Sequence, residues 1–498
     1  MGVQIEYVLL VLSILFFISI LAGKASSRYG VPALLLFLGV GMLGGSDGLG
    51  IQFDNIQFAE TIGSIALSII LFSGGMDTTI SEVRPVMARG VVLATFGVLF
   101  TALITGVVIW WILGMTIPSA GIGFLTSLLL ASTMASTDSA SVFSILRSKD
   151  LKLKNNLRPL LELESGSNDP VAYILVVTLL GIIKQELEPS FWQLSGTLLL
   201  QIGIGALSGY LIGKLAVKVI NKIRIGNDSL YPILVFTFCI FIFSFTYFAK
   251  GNGFLAVYIG GLVIGNSKFV HKRSSLNFFD GLAWMFQLVM FLTLGLLVNP
   301  HDLLSIVVPG LIISFLMIFF SRPLAVFLSL LPFPKMHFKD KTFISWVGLK
   351  GAVPIIFAIF ALVEDIPHAR LIFNIVFFCT LVSLIVQGTT LTLVAKWLGL
   401  VQKHRPLKKL RDFDVDFSND IKSVMTEIDV TDKMLANGRK LMDMTFPDKT
   451  LVVMVKRDQR YFVPTGKTVL NENDKILIIT DNHEALIETY KSLGIEDI

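Results

Sequence analysis

The chain has 498 residues, 54% hydrophobic and 15% charged, against about 25% charged in ordinary soluble domains, which points to a bilayer rather than water as its main solvent. Of its 41 basic and 36 acidic residues, 33 lie in the last 98 positions, so the charge is concentrated in a small soluble tail. The net charge of +5 needs no nucleic-acid partner, and the two cysteines, Cys239 and Cys379, sit in apolar runs that indicate neither a disulfide framework nor a zinc site.

Apolar segments of roughly membrane-spanning length fall near 5–22, 30–45, 58–76, 88–113, 118–146, 157–183, 191–220, 230–249, 253–267, 279–298, 302–330, 342–363 and 369–398. The first is read as a span rather than a removed leader, because no small-residue cleavage site follows it and Lys24 and Arg28 come after the apolar stretch. Basic residues alternate between the connecting loops. Nineteen, from Lys24 to Lys341, fall on one side and only Lys184, Lys250 and Arg370 on the other. Basic loops stay cytoplasmic, so the N-terminus is expected outside and the C-terminal tail inside a cell (inner or plasma) membrane.

The expected fold class is an all-α polytopic membrane protein of about thirteen helices, with a small α+β cytoplasmic domain. Spans 1–6 and 8–13 can form two six-helix units of inverted topology joined by span 7, the usual plan of secondary transporters. The fifth member of each unit carries unusual residues at mid-span: Ser136-Thr137-Asp138-Ser139 in one, Gly348-Leu349-Lys350-Gly351-Ala352-Val353-Pro354 in the other. Both are read as interrupted crossing helices.

An ionisable residue inside a span costs at least ~2.5 kcal/mol on insertion scales and is a functional candidate by default. Five qualify: Asp138, Glu164, Asp169, Arg322 and Lys350. The densest cluster is Glu164-Ser165-Gly166-Ser167-Asn168-Asp169-Pro170, in which helical spacing brings Asp169, Ser165 and Glu164 toward one face. Carboxylate and hydroxyl oxygens suit a hard monovalent cation, and a carboxylate that alternates between cation and proton must titrate near working pH, which its burial tunes. Asp169 is therefore the expected shared cation and proton site, the bland alternative being a cap on a helix broken at Pro170. Asp138 with Thr137 either joins the ion shell or caps a half-helix. Lys350 either offsets facing half-helix dipoles or snorkels to the cytoplasmic edge. Glu164 and Arg322, opposite charges in an apolar region, are expected to pair. Asp77, Glu82 and Arg84 read as a solvated loop.

Ala135-Ser136-Thr137-Asp138, Glu164-Ser165 followed by Asn168-Asp169-Pro170, Ser321-Arg322-Pro323 and Gly348 to Pro354, in that order, resemble the cation:proton antiporter superfamily, in its NhaP and sodium/proton exchanger branch. The strings Ser136–Arg147 and Leu161–Pro170 look like the bacterial subgroup described as potassium/proton antiporters. The resemblance implies a homodimer in which spans 4–6 and 11–13 move as an ion-carrying core against a scaffold. It also implies that Asn168-Asp169, in place of two adjacent aspartates, marks electroneutral exchange of one cation for one proton at a site that includes Asn168, with no cofactor, and that Glu164 and Arg322 form the family's acid–arginine pair. Two departures stand out. Lys350 occupies a place where the family commonly has arginine, and Ser73 one where related exchangers often have an acid. Potassium is the expected cation, with sodium or lithium as the alternative.

The domain boundaries expected are 1–400 for the membrane part, 401–420 for a basic linker and 421–498 for the soluble domain. The last reads as strand 423–430, helix 432–442, strands 450–456, 460–464 and 475–480, and helix 483–493. Gly438–Leu441, the Val452–Pro464 hairpin and the Asn473–Ile478 segment resemble the TrkA C-terminal domain, which implies regulation by a small ligand. A ligand-gated potassium channel is a second reading, but it needs a carbonyl filter of the TVGYG type and the chain has none. An intramembrane aspartyl protease built on Asp138 and Asp169 is a third, and it leaves the acid–basic pair without a role.

Overall fold

The computed structural model describes residues 5–29, 32–118, 121–138, 142, 151, 153–185, 191–402, 424–435, 438–444, 446–448, 450–457, 460–472, 474–480 and 483–493. The predicted linker, apart from its first two residues, falls outside them, as do Ser139, Arg147, Lys149, Lys152 and Asn473. The chain divides into two compact units, Met1–Gln402 and Lys403–Ile498.

The first unit is helical: α1 (Ile5–Tyr29), α2 (Ala33–Gly44), α3 (Ile56–Asp77), α4 (Ile80–Thr116), α5 (Phe124–Thr133), α6 (Leu157–Ile183), α7 (Phe191–Lys222), α8 (Leu230–Phe248), α9 (Gly253–Gly265), α10 (Lys272–Leu297), α11 (Val307–Ser329), α12 (Phe338–Trp346), α13 (Ala352–Val363) and α14 (Ala369–Trp397). Among the described residues eight helices are long and apolar enough to cross a membrane, and five further apolar stretches of 10–17 residues lie in α1, α2, α5, α9 and α13. Each predicted apolar segment overlaps one of these, the predicted spans 118–146 and 342–363 only in part. Large apolar side chains on the outer faces, such as Phe17, Leu199, Phe248 and Trp397, are exposed, as expected of chains whose solvent is lipid.

Two of the short helices are short because their spans are interrupted. Helix α5 stops at Thr133 and Ser136, Thr137 and Asp138 are non-helical. In the predicted span 342–363, α12 and α13 are separated by the non-helical residues 347–351. Wider π turns interrupt α4 at Leu93–Gly97, α11 at Met317–Ser321 and α14 at Leu384–Gly388, a device common at functional sites. Helix α9 packs on α3 at backbone distance, with Gly261 and Gly265 against the main chain of Phe72 and Met76, as small residues allow in lipid.

The second unit is a four-stranded antiparallel sheet of β1 (Val424–Asp429), β2 (Thr450–Arg457), β3 (Arg460–Phe462) and β4 (Lys475–Thr480), in the order β1-β4-β2-β3. Helix α16 (His483–Ser492) contacts β2 and β4, and Ile428, Val455, Ile476 and Ile478 form its core. The predicted helix 432–442 is a correction: α15 covers only Asp432–Leu435, and Leu441–Asp443 is a 3-10 turn. Gly438 has φ +144°, outside any helix and open mainly to glycine, and Lys440 bridges to Val469.

Candidate functional site

The two interruptions cross and are tied to each other. The Asp138 N–H donates to the Leu349 carbonyl at 2.8 Å, and Gly351 lies so close that an added Cβ would sit 2.8 Å from the Asp138 Cγ. Lys350 is 1% exposed. Its Nζ donates to the Ser136 carbonyl at 2.9 Å, so its charge satisfies a carbonyl freed by the facing break rather than reaching an edge. Its backbone N–H donates to Ser383 Oγ at 2.9 Å, Ser383 donates to Gln387 Oε1 at 2.6 Å, and Gln387 Nε2 donates to the Trp346 carbonyl at 2.9 Å. This relay from the π turn of α14 fixes the second break.

Helix α6 packs beside the crossing. Ser165 Oγ donates to the Thr137 carbonyl at 2.6 Å, and Asn168 Nδ2 donates to Thr137 Oγ1 at 2.7 Å. Asp169 is buried, with Ser136, Asp138 and Lys350 as its electrostatic neighbours. Among the described residues the buried acceptors Asp169 Oδ1 and Asn168 Oδ1 lack a partner at hydrogen-bond geometry, with the Ser136 side chain lying next to Asp169. The arrangement costs energy unless a cation or proton meets them. The Glu164 and Arg322 side chains are 2% and 3% exposed, and Arg322 Nη2 donates to Glu164 Oε1, tying α6 to α11 at the edge of its π turn. The structure brings together every predicted site residue: Thr137, Asp138, Ser165, Asn168 and Asp169 at the crossing, Lys350 against it, and Glu164 with Arg322 to one side.

A cavity of about 500 Å³ reaches Asp169. Its lining runs from Asp77, Arg158, Glu162 and Asp280, at the end of α3 and in the first turns of α6 and the N-terminal third of α10, past Ser73 and Tyr258 to Asp138 and Asp169. Asp77, assigned above to a solvated loop, is exposed and lines this cavity. A second cavity of about 440 Å³, lined by Glu60, Tyr173, Lys184 and Glu364, lies at the opposite helix ends, where Lys184 Nζ meets Glu364 Oε2 at 2.5 Å. Asp169 lines the first cavity and Tyr173, one helical turn on, lines the second. The Tyr173 ring packs on Phe254, Phe360 and Phe357 at centroid distances of 4.9, 5.8 and 6.1 Å. Sequence reasoning missed Asp77, Tyr173 and Tyr258. For Tyr258 the available signal was a lone phenol in the otherwise apolar run Gly253–Gly265.

The family model described as sodium/hydrogen exchanger, transmembrane, matches residues 12–397, and the TrkA-C domain matches residues 425–494. A potassium/proton antiporter NhaP of Alkalimonas amylolytica is 41% identical over 479 residues, covering 95% of this chain and 81% of the relative. A potassium/proton antiporter NhaP2 of Shewanella sp. strain MR-4 is 40% identical, covering 93% and 79%. Among solved structures, the sodium proton antiporter MjNhaP1 of Methanocaldococcus jannaschii at pH 8 superposes with a TM-score of 0.67 at 23% identity, covering 78% of this chain and all of that one, which is a likeness of fold. With its crossed helix breaks and buried Asp169, this multi-pass membrane chain belongs to the sodium/hydrogen exchanger family and carries a TrkA-C domain.

Proposed function

We propose that this protein exchanges potassium for protons across the membrane, the two ions competing for Asp169. The observation that carries the reading is Asp169 Oδ1, without a partner at hydrogen-bond geometry among the described residues and buried beside two crossed helix breaks at the end of a cavity with acidic residues at its far end. The antiporters similar over most of the chain, named for potassium and protons, support the choice of cation. The cation takes Asp169 with oxygens of Thr137, Asp138, Ser165 and Asn168. Proton binding neutralises the carboxylate and releases it. Because Asp169 holds one cation or one proton at a time, each cycle is electroneutral. Lys350 stays fixed and balances the helix ends, and Glu164–Arg322 holds α6 in place without binding ions.

The Asp77 end of the site is the cytoplasmic end on this reading, because the basic loops cluster there. The N-terminus then lies outside and the soluble domain inside, with 1–400 as the transport domain, 401–420 as the linker and 421–498 as a regulatory domain for a small ligand. The working unit is a homodimer, and the protein is a transporter and not an enzyme. Sodium is the second reading, favoured by a sodium/proton antiporter NhaG of Bacillus atrophaeus, 30% identical over 331 residues.

The test is dequenching of a pH dye in proteoliposomes on adding potassium, sodium or lithium. Wild type responds to potassium first and Asp169→Asn to none. No response of wild type to any cation overturns the function, and a response to sodium alone overturns the choice of ion.

A further inference from the structure

Tyr258 lies on α9, in an otherwise apolar run from Gly253 to Gly265. It is 3% exposed, yet it lines the cavity that leads to Asp169. Its hydroxyl has no partner at hydrogen-bond geometry among the described residues, the side chains of Thr78 and Ser167 lying next to it. A buried phenol normally finds a partner, so one without a partner at hydrogen-bond geometry beside a route for cations is an acceptor that a cation can engage.

Its ring rests directly on Gly166 of α6, where an added Cβ would lie 2.6 Å from Tyr258 Cζ. Gly166 precedes Asp169 by three residues, about 4.5 Å along a helix at 1.5 Å per residue and on nearly the same face. Pro170 has no N–H to give the Gly166 carbonyl, so a second oxygen at this level lacks its usual helical partner. The phenol thus stands one step before the carboxylate on the route from the Asp77 end, and it comes from a different helix than the carboxylate does.

We propose that Tyr258 is a cation ligand used from one membrane face only: its hydroxyl, with the Gly166 carbonyl, takes up the partly dehydrated monovalent cation in this cavity and passes it to Asp169. The inference rests on the antiport reading above. Once α6 shifts against α9 to open the opposite cavity, Asp169 leaves the phenol behind, and the ion departs without it. Tyr258 therefore sets the apparent affinity on the cytoplasmic side and not on the outer side.

The experiment is potassium-driven proton flux in inside-out and right-side-out vesicles carrying the full chain, with wild type and Tyr258→Phe. The phenylalanine keeps the ring against Gly166 and removes only the oxygen. The loss of one such contact is expected to raise the half-saturating potassium concentration about fivefold on the cytoplasmic face, with the maximal rate retained and the outer-face value unchanged. Equal values for both proteins on the cytoplasmic face, or equal rises on both faces, overturn the role of Tyr258. Absence of exchange by wild type instead overturns the antiport reading itself.

Discussion

The Asp138 N–H and the Leu349 carbonyl, 211 positions apart in the chain, meet at 2.8 Å and bind the two interrupted spans into one crossing. Gly351 permits the approach, because a Cβ there would press on the Asp138 side chain. Gly351→Ala is expected to leave the protein in the membrane and lower its cation-driven proton flux at least tenfold, read by dye dequenching in proteoliposomes. Flux near the wild-type rate would show that the crossing need not be this tight.

Glu164 and Arg322 are both almost wholly buried and bonded to each other. Removing one partner leaves a bare charge in the interior, at a cost of about 3–5 kcal/mol. Glu164→Gln and Arg322→Met should each lower the thermal midpoint of the detergent-solubilised protein by several degrees, and the charge-swapped double variant should recover part of the loss. Single variants as stable as wild type would mean that the pair contributes nothing to packing α6 on α11.

The Tyr173 ring, edge-on to Phe254 of α9 and Phe360 of α13 and tilted against Phe357, lines the second cavity one helical turn beyond Asp169 in the first. Replacing Phe254 by Ala removes the ring nearest Tyr173 and opens a void that polar cavities on both sides can wet. Phe254→Ala is expected to give a proton leak in liposomes without any cation gradient, measured as decay of an imposed pH difference. Tight liposomes would place the barrier elsewhere.

In the soluble domain Asp474 sits in a turn where the Asn471 N–H donates to it at 2.8 Å and Arg457 binds it through Nε and Nη2. Burial pushes its carboxyl up, but the Arg457 guanidinium and the Asn471 N–H outweigh this and hold it below the usual carboxylate range. A depressed native value adds stability above the unfolded value of about 3.9, and that stability is lost as pH falls toward the native value. Arg457→Met should therefore speed amide exchange across β4 at pH 7, with the difference from wild type shrinking below about pH 4. Exchange equal to wild type at neutral pH would show that the turn holds without the pair.

Hydropathy alone determined where the apolar helices lie, because burial in lipid requires about 20 apolar residues in a row whatever surrounds them. The charges at Asp138, Glu164, Asp169, Arg322 and Lys350 were equally legible, since an ion in hydrocarbon is costly enough to stand out in any span. What only the tertiary structure decided is which oxygens and rings share space. The carbonyls of Ser136 and Leu349 acquire partners only where two breaks cross. Asp77 looks like any acid at a helix end until α6 and α10 bring their N-terminal parts beside it. Tyr258 and Phe254 lie in a run whose apolar residues point all round the helix, so periodicity assigns them no face. Their facing depends on contacts with α3 and α6 that are distant in the chain, and those contacts make one a phenol on the ion route and the other the ring nearest Tyr173.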